Sequence, residues 1–244
     1  MSPSSHFKLA NAPTHERTNV EFLVVWLGGA LFVGALAFCG YSYLVSWSRP
    51  HQVDAAWPAI AFDVAIFSVF AAHHSLLARE RVKARLAYIV PQHLLRSVYV
   101  WIASALFIVV CALWREPGGE IFFVTGWRVY AHTAVQLSGL CLIVSSVRAI
   151  DALELAGIRR RSSIGGLQIT GPYRWVRHPL YLGWMLVVFG AAHMTAARLA
   201  FAAITSLYLV IAIPWEERSL AREFPNSYAA YQRQVRWRIL PYVY

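Results

Sequence analysis

The chain has 244 residues, 58% of them hydrophobic and only 14% charged, with a mean hydropathy of +0.49. Soluble domains carry about 25% charged residues, so an ordinary soluble enzyme is excluded and a polytopic membrane protein is expected. The net charge of +10 is spread over several loops, which points to anionic lipid headgroups as the counter-charge and away from nucleic acid.

Residues 1–20 contain polar and charged side chains without a long apolar stretch or a small-residue cleavage site. They read as a flexible cytoplasmic tail rather than a signal peptide. Residues 21–244 then form a single membrane-embedded unit. Six spans are expected, near 22–47, 57–78, 94–114, 129–150, 180–193 and 197–215, each about long enough for the hydrocarbon core. The fifth is short and the sixth suffices only if nearly upright. These two are expected as one helical hairpin turning near Met194-Thr195. The fold class is therefore all-α, a polytopic membrane helix bundle.

Six spans put the N-terminus, the second and fourth loops and the C-terminus on one side. That side holds Arg79, Arg81, Lys83, Arg85, Arg148, Arg159, Arg177 and Arg218 among others, whereas the opposite side holds only Arg49, Arg115, Arg128 and Arg198. Basic residues accumulate on the cytoplasmic side, so both termini are expected there, in a bacterial-type inner membrane. Cys39, Cys111 and Cys141 fall within spans and read as small buried apolar residues. No C-x-x-C pair suggests a disulfide framework or structural zinc.

Asp63 lies a third of the way into the second span, where it is either buried against a partner or turned into a cavity. His73-His74-Ser75 ends that span. Polar residues in spans are often functional, but adjacent histidines point to different helix faces and make no shared metal site. A pocket-lining role is favoured over metal or haem. After the fourth span, Asp151 and Glu154 share a helix face, either shaping a pocket or pairing with Arg148 and Arg159.

The densest polar stretch is Gly171-Pro172-Tyr173-Arg174-Trp175-Val176-Arg177-His178-Pro179-Leu180-Tyr181. Pro179 suits the first turn of the fifth span. Arg177 and His178 then sit at a helix N-terminus, where the dipole and free N–H groups favour an anion such as a ligand carboxylate. The plainer alternative is a basic membrane border. Glu216-Glu217 closes the sixth span on the same side and suits a cation, an amine or ribose hydroxyls. Its alternative is ion pairing with Arg218 and Arg222. Both clusters at one end of one hairpin point to a zwitterionic ligand. Beyond them, Leu220, Phe224, Tyr228, Tyr231 and Val235 predict a short amphipathic helix broken near Pro225-Asn226. It would lie on the membrane or close over a pocket. There is no P-loop, G-x-G-x-x-G or H-E-x-x-H motif, and no G-x-S-x-G elbow.

Gly171, Tyr173, Arg177-His178-Pro179-Leu180-Tyr181, Glu216-Glu217 and Tyr228-Ala229-Ala230-Tyr231 together resemble the C-terminal hallmark of the isoprenylcysteine carboxyl methyltransferase and phospholipid methyltransferase group. Upstream, His74-Ser75-Leu76-Leu77-Ala78-Arg79, Leu95-Arg96-Ser97-Val98-Tyr99-Val100, Trp114-Arg115 and Leu153-Glu154-Leu155-Ala156-Gly157-Ile158-Arg159 are similar to its bacterial methanethiol S-methyltransferase branch. The resemblance covers about residues 60–241. One departure is Ala152 and Ala156, where the branch has an aromatic or histidine-rich segment. If those positions touch the methyl acceptor, the acceptor is larger or different.

The resemblance implies S-adenosylmethionine as methyl donor, held by Tyr173, Arg177, His178, Pro179, Tyr181, Gly183, Glu216 and Glu217 in a donor-binding part spanning about 165–241. It implies S-methylation of a small thiol such as methanethiol to dimethyl sulfide. A lipidic acceptor, either a prenylcysteine carboxylate or a phospholipid amine, is the alternative; a non-catalytic or haem-linked membrane protein is the reading from another class. A sulfonium methyl is already activated, so transfer depends mainly on placement of the nucleophile. Burial raises a thiol pKa and positive charge offsets it, for which Arg177, Arg218 and His74 are the candidates.

Overall fold

A computed structural model describes residues 18–51, 55–77, 80–91, 93–150, 152–156, 158 and 166–244. Residues 1–17 of the expected tail, Arg79, Asp151, Gly157 and residues 159–161 lie outside the described residues, and with them the expected pairing of Asp151 and Arg159.

In chain order the elements are α1 (Asn19–Leu44), a 3-10 turn (Ser46–Ser48), α2 (Trp57–Leu77), α3 (Glu80–Leu86), α4 (Leu95–Leu113), β1 (Glu120–Phe123), α5 (Arg128–Ile150), α6 (Ala152–Leu155), a second 3-10 turn (Gly171–Arg174), α7 (Pro179–Phe189), β2 (His193–Thr195), α8 (Ala196–Glu223) and α9 (Pro225–Gln234). Among the described residues, α1, α2, α4, α5 and α8 are long and apolar enough to cross a membrane. The chain is an all-α polytopic membrane bundle. α1 starts in a capping box, with Glu21 N–H donating to Thr18 Oγ1 at 3.3 Å and Thr18 N–H to the Glu21 carboxylate at 3.0 Å. Two orphan donors are satisfied reciprocally, which sets the helix start at Asn19.

The expected fifth span is corrected. α7 has only 11 residues, about 16 Å of helix. A helix that stops inside a bilayer must have its last carbonyls satisfied by protein. Gln136 Nε2 donates to Val187 O at 2.9 Å, Tyr43 OH donates to Val188 O at 2.5 Å, and His132 Nδ1 lies 3.1 Å from Gly190 O. These partners come from α1 and α5, so no local pattern announces the stop. The hairpin also lacks a tight turn at Met194-Thr195. The chain runs extended there as β2, antiparallel to β1, with Glu120 opposite Thr195 and Phe123 opposite His193.

α8 continues well past its expected end at 215, reaching Glu223 through Pro214. Proline cannot donate to the carbonyl of residue 210, yet such breaks are tolerated in membrane helices. Glu216 and Glu217 therefore lie within a helix, not at its end. After Phe224, Pro225 opens α9, as the expected break near 225–226 requires.

Two packing seams hold the site in place. A Cβ on Gly183 would sit 2.8 Å from Gly139 O, and one on Gly139 would sit 2.7 Å from Gly183 O. Small residues let membrane helices approach closely, and this contact joins α5 to α7. The core gathers Trp47, Trp114 and Phe201, with ring centroids 4.9–5.6 Å apart. Cys39 and Cys111 are buried in this core, but Cys141 is exposed on α5. That corrects the expectation of burial for all three. Asp63 is buried and accepts the Arg115 N–H at 2.9 Å.

Candidate active site

The start of α7, the end of α8 and the C-terminal segment meet at one end of the bundle. Backbone bonds run from Arg177 N–H to Trp237 O at 2.9 Å and from His178 N–H to Arg238 O at 2.8 Å. This ribbon brings Arg238 to Glu217 across 21 positions of sequence. Nothing in the sequence marks Arg238 for the site, because an irregular segment carries it there.

Arg177 donates from Nε to Glu217 Oε1 at 2.7 Å, and from one terminal nitrogen to Val235 O at 2.8 Å and Arg236 O at 2.7 Å. Its side chain is 8% exposed and that of Glu217 is 7% exposed. Glu217 also accepts from Arg238 Nε at 3.2 Å, with His178 Nε2 at 3.4 Å. Charge-assisted bonds of this kind are the strong ones. Arg177 and Glu217 thus act as a strap joining α7, α8 and the tail. In Arg177, expected to serve a ligand carboxylate or a thiolate, Nε and one terminal nitrogen are taken up by these bonds.

Glu216 is different. Neighbouring helix residues point about 100° apart, and this side chain remains 45% exposed. It accepts one hydrogen bond, from Tyr181 OH at 2.7 Å, and His178 Nδ1 lies 3.6 Å away. His178 stacks on Tyr181, with centroids 5.2 Å apart and planes at 16°. It is the N-cap of α7 but makes no capping hydrogen bond, and Pro179 follows in the first turn.

Tyr173 lies in the second 3-10 turn, and its carbonyl accepts from Tyr231 OH at 2.7 Å. Burial pushes the Tyr173 and Tyr228 phenols up, with the charges of Glu216 and Glu217 respectively adding to it. Burial likewise pushes Tyr231 up to about 12. All three stay protonated at neutral pH. Arg218 is exposed, on the rim of a hollow of about 240 Å³ shared with Pro214, Glu217, Gln232 and Arg238. Gly183 lies in the α5 seam rather than in this polar cluster.

A second polar group sits where α2, α4 and α8 meet. His74 Nδ1 is hydrogen-bonded to Tyr99 OH. His73 stacks on the same tyrosine, with centroids 5.8 Å apart and planes at 5°. The two histidines therefore converge on one partner despite their different faces. Tyr208 OH donates to Ala71 O at 3.2 Å and lies 3.2 Å from Ser75 Oγ. Tyr208 lies on α8 eight residues before Glu216, which places this group towards the same end as the first. Among the described residues no three His, Cys, Asp or Glu side chains form a group able to hold a metal. Of the two departing alanines, Ala156 is buried next to Gly29 of α1 and Ala152 is exposed.

The sequence model of the phospholipid methyltransferase family matches residues 127–227, the stretch that carries α5, α7, α8 and both carboxylates. A methanethiol S-methyltransferase 2 of Bradyrhizobium diazoefficiens is 32% identical over 217 residues, 84% of this chain and 82% of its own length. The chain belongs to this membrane methyltransferase family. A methanethiol S-methyltransferase of Crocosphaera subtropica is 30% identical, with 83% of each chain aligned. One of Mycobacterium tuberculosis is 30% identical over 88% of this chain and 95% of its own. No solved structure matches. The protein is thus an integral membrane methyltransferase, and its chemistry requires a methyl donor and an acceptor that meet at one place.

Proposed function

We propose that this methyltransferase transfers the methyl group of S-adenosylmethionine to a small thiol such as methanethiol, giving dimethyl sulfide. The observation that carries the reading is the inequality of two adjacent carboxylates. Glu217 is enclosed by Arg177, Arg238 and His178, whereas Glu216 keeps an open side and one phenolic donor. An exposed carboxylate beside an uncapped helix start suits a ligand with a cationic end and an anionic end. Glu216 with Tyr181 would take the amine or ribose hydroxyls of the donor. The positive end of the α7 dipole, where His178 makes no side-chain cap, would favour its carboxylate. Tyr173 supports the same end through the tail. The sulfonium supplies an activated methyl, so the protein's task is placement.

The names of the relatives favour a small thiol over a prenylcysteine or a phospholipid amine. Arg174, Arg218, Arg222, Arg233 and Arg236 lie at the site's end of the bundle and Arg49, Arg115 and Arg128 at the other. By the positive-inside rule the site faces the cytoplasm of a bacterial inner membrane.

The test is calorimetry of S-adenosylmethionine on detergent-purified protein, together with gas chromatography of dimethyl sulfide formed from methanethiol. Glu216→Gln is expected to weaken donor binding about 10- to 100-fold, or about 1.4–2.8 kcal/mol, without loss of fold. Folded wild-type protein that binds no donor, or that methylates only lipidic acceptors, would sink the reading.

A further inference from the structure

Ionisable and hydroxyl side chains within membrane helices are costly unless partnered or used. The junction of α2, α4 and α8 gathers His73, His74, Ser75, Tyr99 and Tyr208 from three helices. Its walls are aromatic: Phe70 lies 6.3 Å from the His74 ring and 5.3 Å from Phe107, and Phe67 lies 5.7 Å from Tyr208. A small apolar thiol suits such walls. A thiol that enters from the bilayer arrives as S–H, and a proton must leave before sulfur can attack.

We infer that His74 accepts this proton, that Tyr99 is its positioning residue, and that the junction of α2, α4 and α8 is the acceptor subsite. This deepens the function proposed above and rests on it. Hydrogen bonding of His74 Nδ1 to the Tyr99 hydroxyl fixes the ring. Among the described residues no hydrogen bond engages Nε2, and His74 is open to the outside of the bundle. The groups facing it are His73 on its own helix, Tyr99 on α4, with Arg96 close to that tyrosine, and Glu216 on α8. Tyr208 leads towards the donor side, since it shares α8 with Glu216, which Tyr181 holds at 2.7 Å.

The step balances. The S–H bond breaks and its proton goes to Nε2. The freed sulfur pair forms the new S–CH3 bond, while the bond from methyl to donor sulfonium breaks and leaves its pair on that sulfur. Nδ1 carries its hydrogen throughout and donates it to the Tyr99 oxygen, which leaves Nε2 as the basic nitrogen. One positive charge disappears from the donor and one appears on the imidazole, so no net charge is created in a medium where charge is expensive. A neutral imidazole has one basic ring nitrogen and can accept a proton. The step as written needs no permanently charged guanidinium.

The test uses the full chain in nanodiscs with S-adenosylmethionine and methanethiol, following kcat, KM and donor binding against pH. His74→Gln is expected to lower kcat about 100-fold at pH 7 with donor affinity unchanged. The deficit should shrink as pH approaches the thiol's own pKa, where solvent supplies thiolate. Tyr99→Phe should lower kcat about tenfold and shift the imidazole limb of the profile, an effect that loose packing alone would not produce. Donor binding serves as the folding control, and Tyr99→Phe decides if the histidine variant fails to fold. A His74→Gln protein with wild-type kcat and pH profile would overturn the inference and leave the function standing. Wild-type protein that binds donor but methylates no thiol would overturn both.

Discussion

The two ends of the bundle treat charge in opposite ways. Where α1 ends and α8 begins, Arg198 is 6% exposed and donates to Tyr43 O at 2.8 Å, His193 O at 2.5 Å and Leu44 O at 3.0 Å. Thr195 Oγ1 donates to Trp47 O at 2.5 Å. These side chains close helix ends that would otherwise leave carbonyls bare. At the other end Arg177 does similar work on Val235 and Arg236, but at that end Glu216 and His74 keep capacity to spare. A buried charge by itself is therefore a poor marker of function. The better marker is the polar capacity left once the fold has taken its share.

This contrast can be broken experimentally. The largest effect is expected from Glu217→Ala, which leaves Arg177 and Arg238 without their carboxylate. Removing one partner of a buried pair costs about 3–5 kcal/mol, read as a lower unfolding midpoint in detergent. If stability were unchanged, the division of labour between Glu217 and Glu216 would collapse. Arg198→Ala is expected to cost about 3 kcal/mol, since charge-assisted bonds to three carbonyls are lost. Among molecules that remain folded, donor affinity should stay as in wild type. A clear fall in affinity would mean that the far end is not purely structural. Gly183→Ala should be milder, about 1–3 kcal/mol from forcing α5 and α7 apart. Its signature is reduced thermal stability with an unshifted pH–rate profile. A shifted profile would return Gly183 to the donor site.

The spans were legible because apolar length is a local property. The residue types of the site were legible too, through Arg177-His178-Pro179, Tyr181 and Glu216-Glu217. The Thr18-x-x-Glu21 box is readable in the sequence and places the start of α1 at Asn19, earlier than hydropathy does. Other features depend on partners far along the chain. The stop of α7 is set by Tyr43, Gln136 and His132, and the seat of Gly183 by Gly139. The roles of Glu216 and Glu217 differ by a helix rotation that composition does not encode. Arg238 reaches Glu217 only because residues 235–238 run beside the start of α7.

The shortness of α7 bears on how the protein is made. Eleven apolar residues are too few to be recognised alone as a membrane-spanning segment, for which about 20 are needed. The carbonyls of Val187, Val188 and Gly190 at its far end take their side-chain partners from α1 and α5. During synthesis this segment therefore has no stable place in the bilayer until those two helices are already inserted. The order of the genetic message, with α1 and α5 emerging first, doubles as an order of assembly, and the end that carries the candidate site is completed last.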